Sequence, residues 1–153
     1  MHNESNKKAV AALNELIEKN YDAEKGYKEA VTDVENHELK DYFTKSVQQR
    51  YEFGHELKAE IEKLGGKPEK GTSITGDLHR VWINLKSLVL GKDVEAVVNE
   101  CERGEEAAIA DYEKVLKMDE VSMEAKTVIH KHLQLIRSSL EHLEELKKRF
   151  ATA

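Results

Sequence analysis

The only stretch of the chain rich in Gly, Pro and Ser is GGKPEKGTS at 65–73, and it holds the one proline, Pro68. Proline fixes φ and has no N–H, so it ends helices and is kept out of sheet interiors. A 153-residue chain that meets this obstacle once is free to run in long helices on both sides of it. Apolar residues recur there at spacings of three and four, the period of a helix with one buried face. Charged residues make up 35% and aromatics 6%, the profile of amphipathic helices rather than sheet. Disorder is the competing account of so charged a chain, and the regular apolar spacing argues against it.

Start and stop signals place helices at about 5–35, 37–64, 76–90, 93–117 and 121–150. Ser5 or Asn6 is the expected first N-cap, Gly65-Gly66 ends the second helix, and Thr75 caps the short third one. Gly91 ends that helix, Asp93 falls in the first turn of the fourth, and Ser122 caps the fifth. The first and second long helices are joined by a short connection, as are the last two, so each pair forms an antiparallel hairpin. The link between the pairs is long and contains the short helix, the single crossover of ferritin-like bundles. The expected fold is all-α: a ferritin-like antiparallel four-helix bundle with a short extra helix in the crossover, one domain over 1–153. GYKEAV (26–31) echoes DYEKVL (111–116), which sets Tyr27 and Tyr112 in register across two related halves.

At about 100° per residue each helix has an apolar centre. Leu13, Ile17 and Tyr27 set it on the first helix, Phe43, Phe53 and Leu57 on the second, Val98, Cys101 and Tyr112 on the fourth, Ile129 and Ile136 on the fifth. Five polar residues fall on or near these lines: Asn20, Glu24, Arg50, Glu105 and His132. Isolated buried charges are costly, so the five are expected to form one paired polar cluster around an Arg50–Glu105 or Arg50–Glu24 ion pair. Gly54 and Gly104 flank Arg50 and Glu105, where close helix approach or access for a ligand accounts for them.

A second reading of the same residues is a metal site. Di-iron carboxylate bundles take a Glu from each of two helices and a Glu-x-x-His from each of the other two. Carboxylates and imidazoles suit iron or manganese. The chain has one such string, Glu52 to His55, but both residues project away from Phe53 and Leu57. His132 faces inward with Ile129, not Glu, three residues before it. The tyrosine register makes Asn20 the counterpart of Glu105, and the Arg50 cation repels a divalent ion. Glu24, Glu105 and His132 remain as the candidate ligands of a single ion.

Other classes lack their marks. The net charge is −6 and there is no long basic run, so nucleic acid is not an expected partner. The most apolar window, VWINLKSLVL at 81–90, is interrupted by Lys86 and too short to span a bilayer. MHNESNKKAV carries no apolar signal region, and the lone Cys101 rules out an internal disulfide framework. A cytoplasmic protein without a membrane partner is expected. Cys101 sits at the centre of its helix's apolar face and reads as a small core residue.

The segments LIEKNYDAEKGYKEAV (16–31), GGKPEKGTSITGDLHRVW (65–82) and ECERGEEAAIADYEKVL (100–116) resemble a bacterial ferritin-like family, the domain of unknown function 2383. The resemblance implies a ferritin-like four-helix bundle and carries no catalytic residue over. Its Gly-x-Leu-His-Arg-x-Trp segment at 76–82 makes His79, Arg80 and Trp82 a candidate site at the crossover, with Trp82 docking the short helix on the bundle. Two functions stay open: a non-enzymatic structural or interaction protein, with homo-oligomers formed through helix faces, or a metal-binding oxidoreductase using iron or manganese.

Overall fold

A computed structural model of the chain describes the backbone of residues 2–68 and 76–152 and the side chains of 4–68, 82 and 84–150. Among these residues the order is α1 (His2–Val31), α2 (His37–Lys63), α3 (Gly76–Leu90), α4 (Val94–Leu116) and α5 (Met123–Thr152). Helix α1 packs on α2 and α4 on α5, and α3 lies against α1 and α4. The fold is the expected all-α four-helix bundle with a shorter helix in the crossover. Among the described residues, no helix is long and apolar enough to cross a membrane.

The helix ends follow local hydrogen bonding. Helix α1 begins at His2, so Ser5 and Asn6 lie inside it instead of capping it. It stops at Val31, short of the expected 35, because the chain turns at Thr32–Asp33 and Asn36 opens α2 by accepting from Leu39 N–H at 3.0 Å. Asp93 lies outside α4 and caps it, accepting from Ala96 N–H at 3.1 Å. Ser122 caps α5 through Ala125 N–H, also at 3.1 Å. Thr75, the expected cap of α3, lies outside the described residues. Gly65, at φ +75, takes the left-handed turn that closes α2. A Cβ on Gly66 would stand 2.7 Å from Val10, so the chain leaves α2 pressed against α1.

The interior divides into two apolar clusters. Leu13, Ile17, Phe53, Leu57, Ile129 and Ile136 belong to the first. Tyr27, Phe43, Trp82, Val98, Cys101 and Leu143 belong to the second. On α1, α2 and α4 the sequence passes from one to the other through Asn20, through Ser46 and Arg50, and through Gly104 and Glu105, all buried. A polar layer therefore crosses the middle of the bundle.

The indole of Trp82 fastens α3 to that layer. It lies between Gly26 on α1 and Gly104 on α4, where an added Cβ would come within 2.8 Å of it on either side. Its ring also meets Tyr27 edge-on at 4.8 Å. The two glycines make room for an aromatic that no larger residue would admit.

Candidate functional site: a buried hydrogen-bonded chain

Arg50 is the hub of the layer. Its guanidinium is 2% exposed and divides its donors between two helices. Nη2 donates to Glu105 Oε1 on α4 at 2.6 Å, and Nη1 donates to Asn20 Oδ1 on α1 at 2.9 Å. Burial alone would lower the Arg50 pKa, but the charge and hydrogen bond of Glu105, together with Tyr27 and Tyr112, outweigh it and the pKa ends above its ordinary value. Arg50 is a permanent cation here.

Two branches leave this hub. Glu105 Oε1 also accepts from the Tyr27 hydroxyl at 2.9 Å. That hydroxyl is spent as a donor, so it accepts from Tyr42, 2.7 Å away. On the other side, Asn20 Nδ2 donates to Leu16 O and to the Tyr112 hydroxyl, both at 2.9 Å. Tyr112 in turn meets His132 Nδ1 at 2.9 Å, and His132 Nε2 meets Glu56 Oε1 at 3.0 Å.

The direction of the second branch follows from charge. Burial would raise the Glu56 carboxyl, but hydrogen bonds from Lys131 and His132 outweigh it, and its pKa falls. An ionised Glu56 only accepts, so His132 carries its proton on Nε2 and Nδ1 accepts from Tyr112. Burial also holds the imidazole neutral, with its pKa lowered to about 4. Phe53 stacks on the ring at 3.9 Å between centroids. The result is one directed chain, Arg50 to Asn20 to Tyr112 to His132 to Glu56, ending at a half-exposed carboxylate that Lys131 neutralises.

The structure thus brings Asn20, Arg50, Glu105 and His132 into one network. It does not bring Glu24 there. Glu24 is partly exposed on α1 among the charges of Lys28, His55 and Lys58, and burial raises its pKa. Glu52 and His55 are exposed; Glu52 accepts from Gln48, and His55 packs on Tyr51. Trp82 is buried, while the His79 and Arg80 side chains lie outside the described residues. The members missed from sequence are Tyr27, Tyr42, Tyr112 and Glu56. Two of them carried a signal: a Tyr, not a Phe, at the centre of an apolar stripe has a hydroxyl that needs a partner.

Chemically, the three tyrosines are held protonated, each chiefly by burial. Cys101 is also buried, and its thiol is pushed up by burial and then by Glu105, so it is a poor nucleophile. The layer links polar groups from all four long helices. Glu105 is engaged by Arg50 and Tyr27, and both ring nitrogens of His132 are occupied.

Comparison with known proteins agrees with this architecture. A Desulfovibrio desulfuricans bacterioferritin, described with a diiron site, matches at a TM-score of 0.78 and 16% identity, over 99% of this chain and 85% of its own. A structure described as ferritin-like, diiron-carboxylate proteins from Bacillus anthracis matches at a TM-score of 0.65 and 21% identity, over 94% of this chain and 96% of its own. At these identities the likeness is one of fold. No curated protein matches the chain. The family model described as Domain of unknown function (DUF2383) matches residues 8–118. With that match over most of its length, the chain belongs to the DUF2383 family of ferritin-like bundles.

Proposed function

We propose that this bundle closes its centre with the Arg50–Glu105 ion pair and serves as a structural or interaction protein, without a metal-dependent oxidoreductase reaction. The supporting observation is the buried Arg50 guanidinium, held between Glu105 and Asn20. A di-iron carboxylate centre draws a Glu from each of two helices and a Glu-x-x-His from each of the other two. The inward central residues here are Asn20 on α1, Arg50 and Phe53 on α2, Glu105 on α4, and Ile129 and His132 on α5. Of these, Glu105 and His132 alone are ligands that iron or manganese favours. Phe53 and Ile129 offer no donor, Asn20 offers an amide, and Arg50 is a cation. These residues do not fit a di-iron centre.

The other reading, one ion held by Glu24, Glu105 and His132, meets the same difficulty. Glu24 stands outside the layer, Glu105 is committed to Arg50, and both nitrogens of His132 are in use. Among the described residues, no three of His, Cys, Asp and Glu come together as a metal site. The partner in this proposal is another protein surface, with a second copy docking through the helix faces as the simplest case. The test is metal content after purification from iron- and manganese-supplemented cells. Substoichiometric metal, equal in the wild type and Glu105→Ala, is expected. Near-stoichiometric metal that Glu105→Ala loses would overturn the proposal.

A further inference from the structure

Three buried polar atoms near the layer have no hydrogen-bond partner among the described residues: Arg50 Nε, Trp82 Nε1 and Asp111 Oδ2. Such orphans are rare in folded proteins. Arg50 and Trp82 are 2% and 5% exposed, so bulk water does not serve them. The three residues come from α2, α3 and α4, yet all border one small cavity between α1 and α4. Its volume is about 10 Å³, the room that one water requires. Two of the orphans are donors and the third is an acceptor.

We propose that this cavity is a binding site for one ordered water. The water accepts from Arg50 Nε and Trp82 Nε1 and donates to Asp111 Oδ2. Three hydrogen bonds are the usual complement of a buried water. The chemistry excludes other occupants. A carboxylate on the wall repels an anion, Arg50 repels a cation, the size shuts out larger molecules, and an apolar gas would leave all three groups unsatisfied. The opposite oxygen of Asp111 is bonded to Lys19 at 2.8 Å. A neighbouring cavity of about 40 Å³ shares Leu16, Lys19 and Asp111 with the first cavity. Parting of the Lys19–Asp111 pair is therefore the route by which the water exchanges. The inference stands on the Arg50 geometry and holds whichever role the bundle plays.

Water-selective NOE and ROE spectra of the full-length ¹⁵N-labelled protein test it. Cross-peaks from a long-lived water to both Arg50 Hε and Trp82 Hε1 are expected. Their absence from both groups would overturn the site. Trp82→Phe keeps an aromatic ring but removes one donor, and shortens the residence time seen at Arg50 Hε about tenfold, the cost of one hydrogen bond. An unchanged residence time would remove Trp82 from the site. Lys19→Ala speeds the exchange while the cross-peaks remain, and an unchanged rate would rule out that route.

Discussion

Arg50 Nη2 lies 2.6 Å from Glu105 Oε1, with the two side chains 2% and 1% exposed. The neighbours of this pair cross over. Tyr27, seven residues after Asn20 on α1, bonds Glu105 on α4; Tyr112, seven residues after Glu105, bonds Asn20. Arg50 donates one hydrogen bond to Asn20 and one to Glu105, so the cation ties α1 and α4 through matching positions. The ferritin-like fold supplies four inward-facing helices, and in this chain their centre is filled by a guanidinium and its partners.

The first prediction concerns that pair. Arg50→Ala leaves the Glu105 carboxylate buried without its cation and should destabilise the protein by about 3–5 kcal/mol. Replacing Arg50 and Glu105 together by Met and Leu should cost far less, because the desolvation of both charges disappears with them. Urea unfolding of the single and double variants measures the difference. An Arg50→Ala effect below about 1 kcal/mol is what an exposed pair would give.

The second prediction concerns pH. His132 takes up a proton at about 4 in the folded protein against 6.5 ordinarily. Between those values the unfolded chain binds the extra proton. Stability is therefore complete above pH 6.5 and declines as pH falls toward 4, by about 3 kcal/mol from this residue. Glu56, whose pKa is lowered from 4.5, adds its loss at lower pH. His132→Gln cannot take the proton, so its stability should be flat between pH 6.5 and 5, where the wild type weakens. Parallel denaturation curves across that range check this.

The third prediction separates two glycines. A Cβ on Gly104 would lie 2.8 Å from the Trp82 ring, so Gly104→Ala should destabilise by about 1–3 kcal/mol despite the gain in helix propensity. A Cβ on Gly54 would meet only Tyr21, at an ordinary 3.8 Å, and Gly54→Ala should stabilise by up to about 1 kcal/mol. Thermal melts of the two variants should move in opposite directions.

A fourth prediction follows from burial of Cys101, whose side chain is 0% exposed. A thiol reagent in the native protein should react with it only as fast as the bundle opens. A rate that follows added denaturant along the unfolding curve is the expected result.

These predictions rest on residues whose readability in the sequence differed for physical reasons. Asn20, Arg50, Glu105 and His132 stand out because a single angular period places them among Leu, Ile and Phe, and the inward phase of a long helix is well determined. Glu24 lies near the edge of its stripe, where a small error in phase moves a side chain from the interior to the surface. There it meets Lys28, His55 and Lys58. Glu56 could not be read at all. It is half-exposed on α2, and what gives it meaning is His132, 76 residues away on α5. The links Tyr27–Glu105 and Tyr112–Asn20 are likewise long-range, and only the tyrosines' positions hint at them. Gly54 and Gly104 look alike in sequence, and the docking of Trp82 against one of them sets them apart.

On the proposed reading, Arg50 and its partners fill the middle of the bundle to the exclusion of a metal. Crystals soaked in ferrous iron or manganese, with anomalous maps at the absorption edge of each metal, test it most directly. No anomalous peak is expected within bonding distance of Glu105 or His132, with the Arg50–Glu105 bond intact. A peak on Glu105 and His132, with the Arg50 guanidinium moved aside, would contradict it.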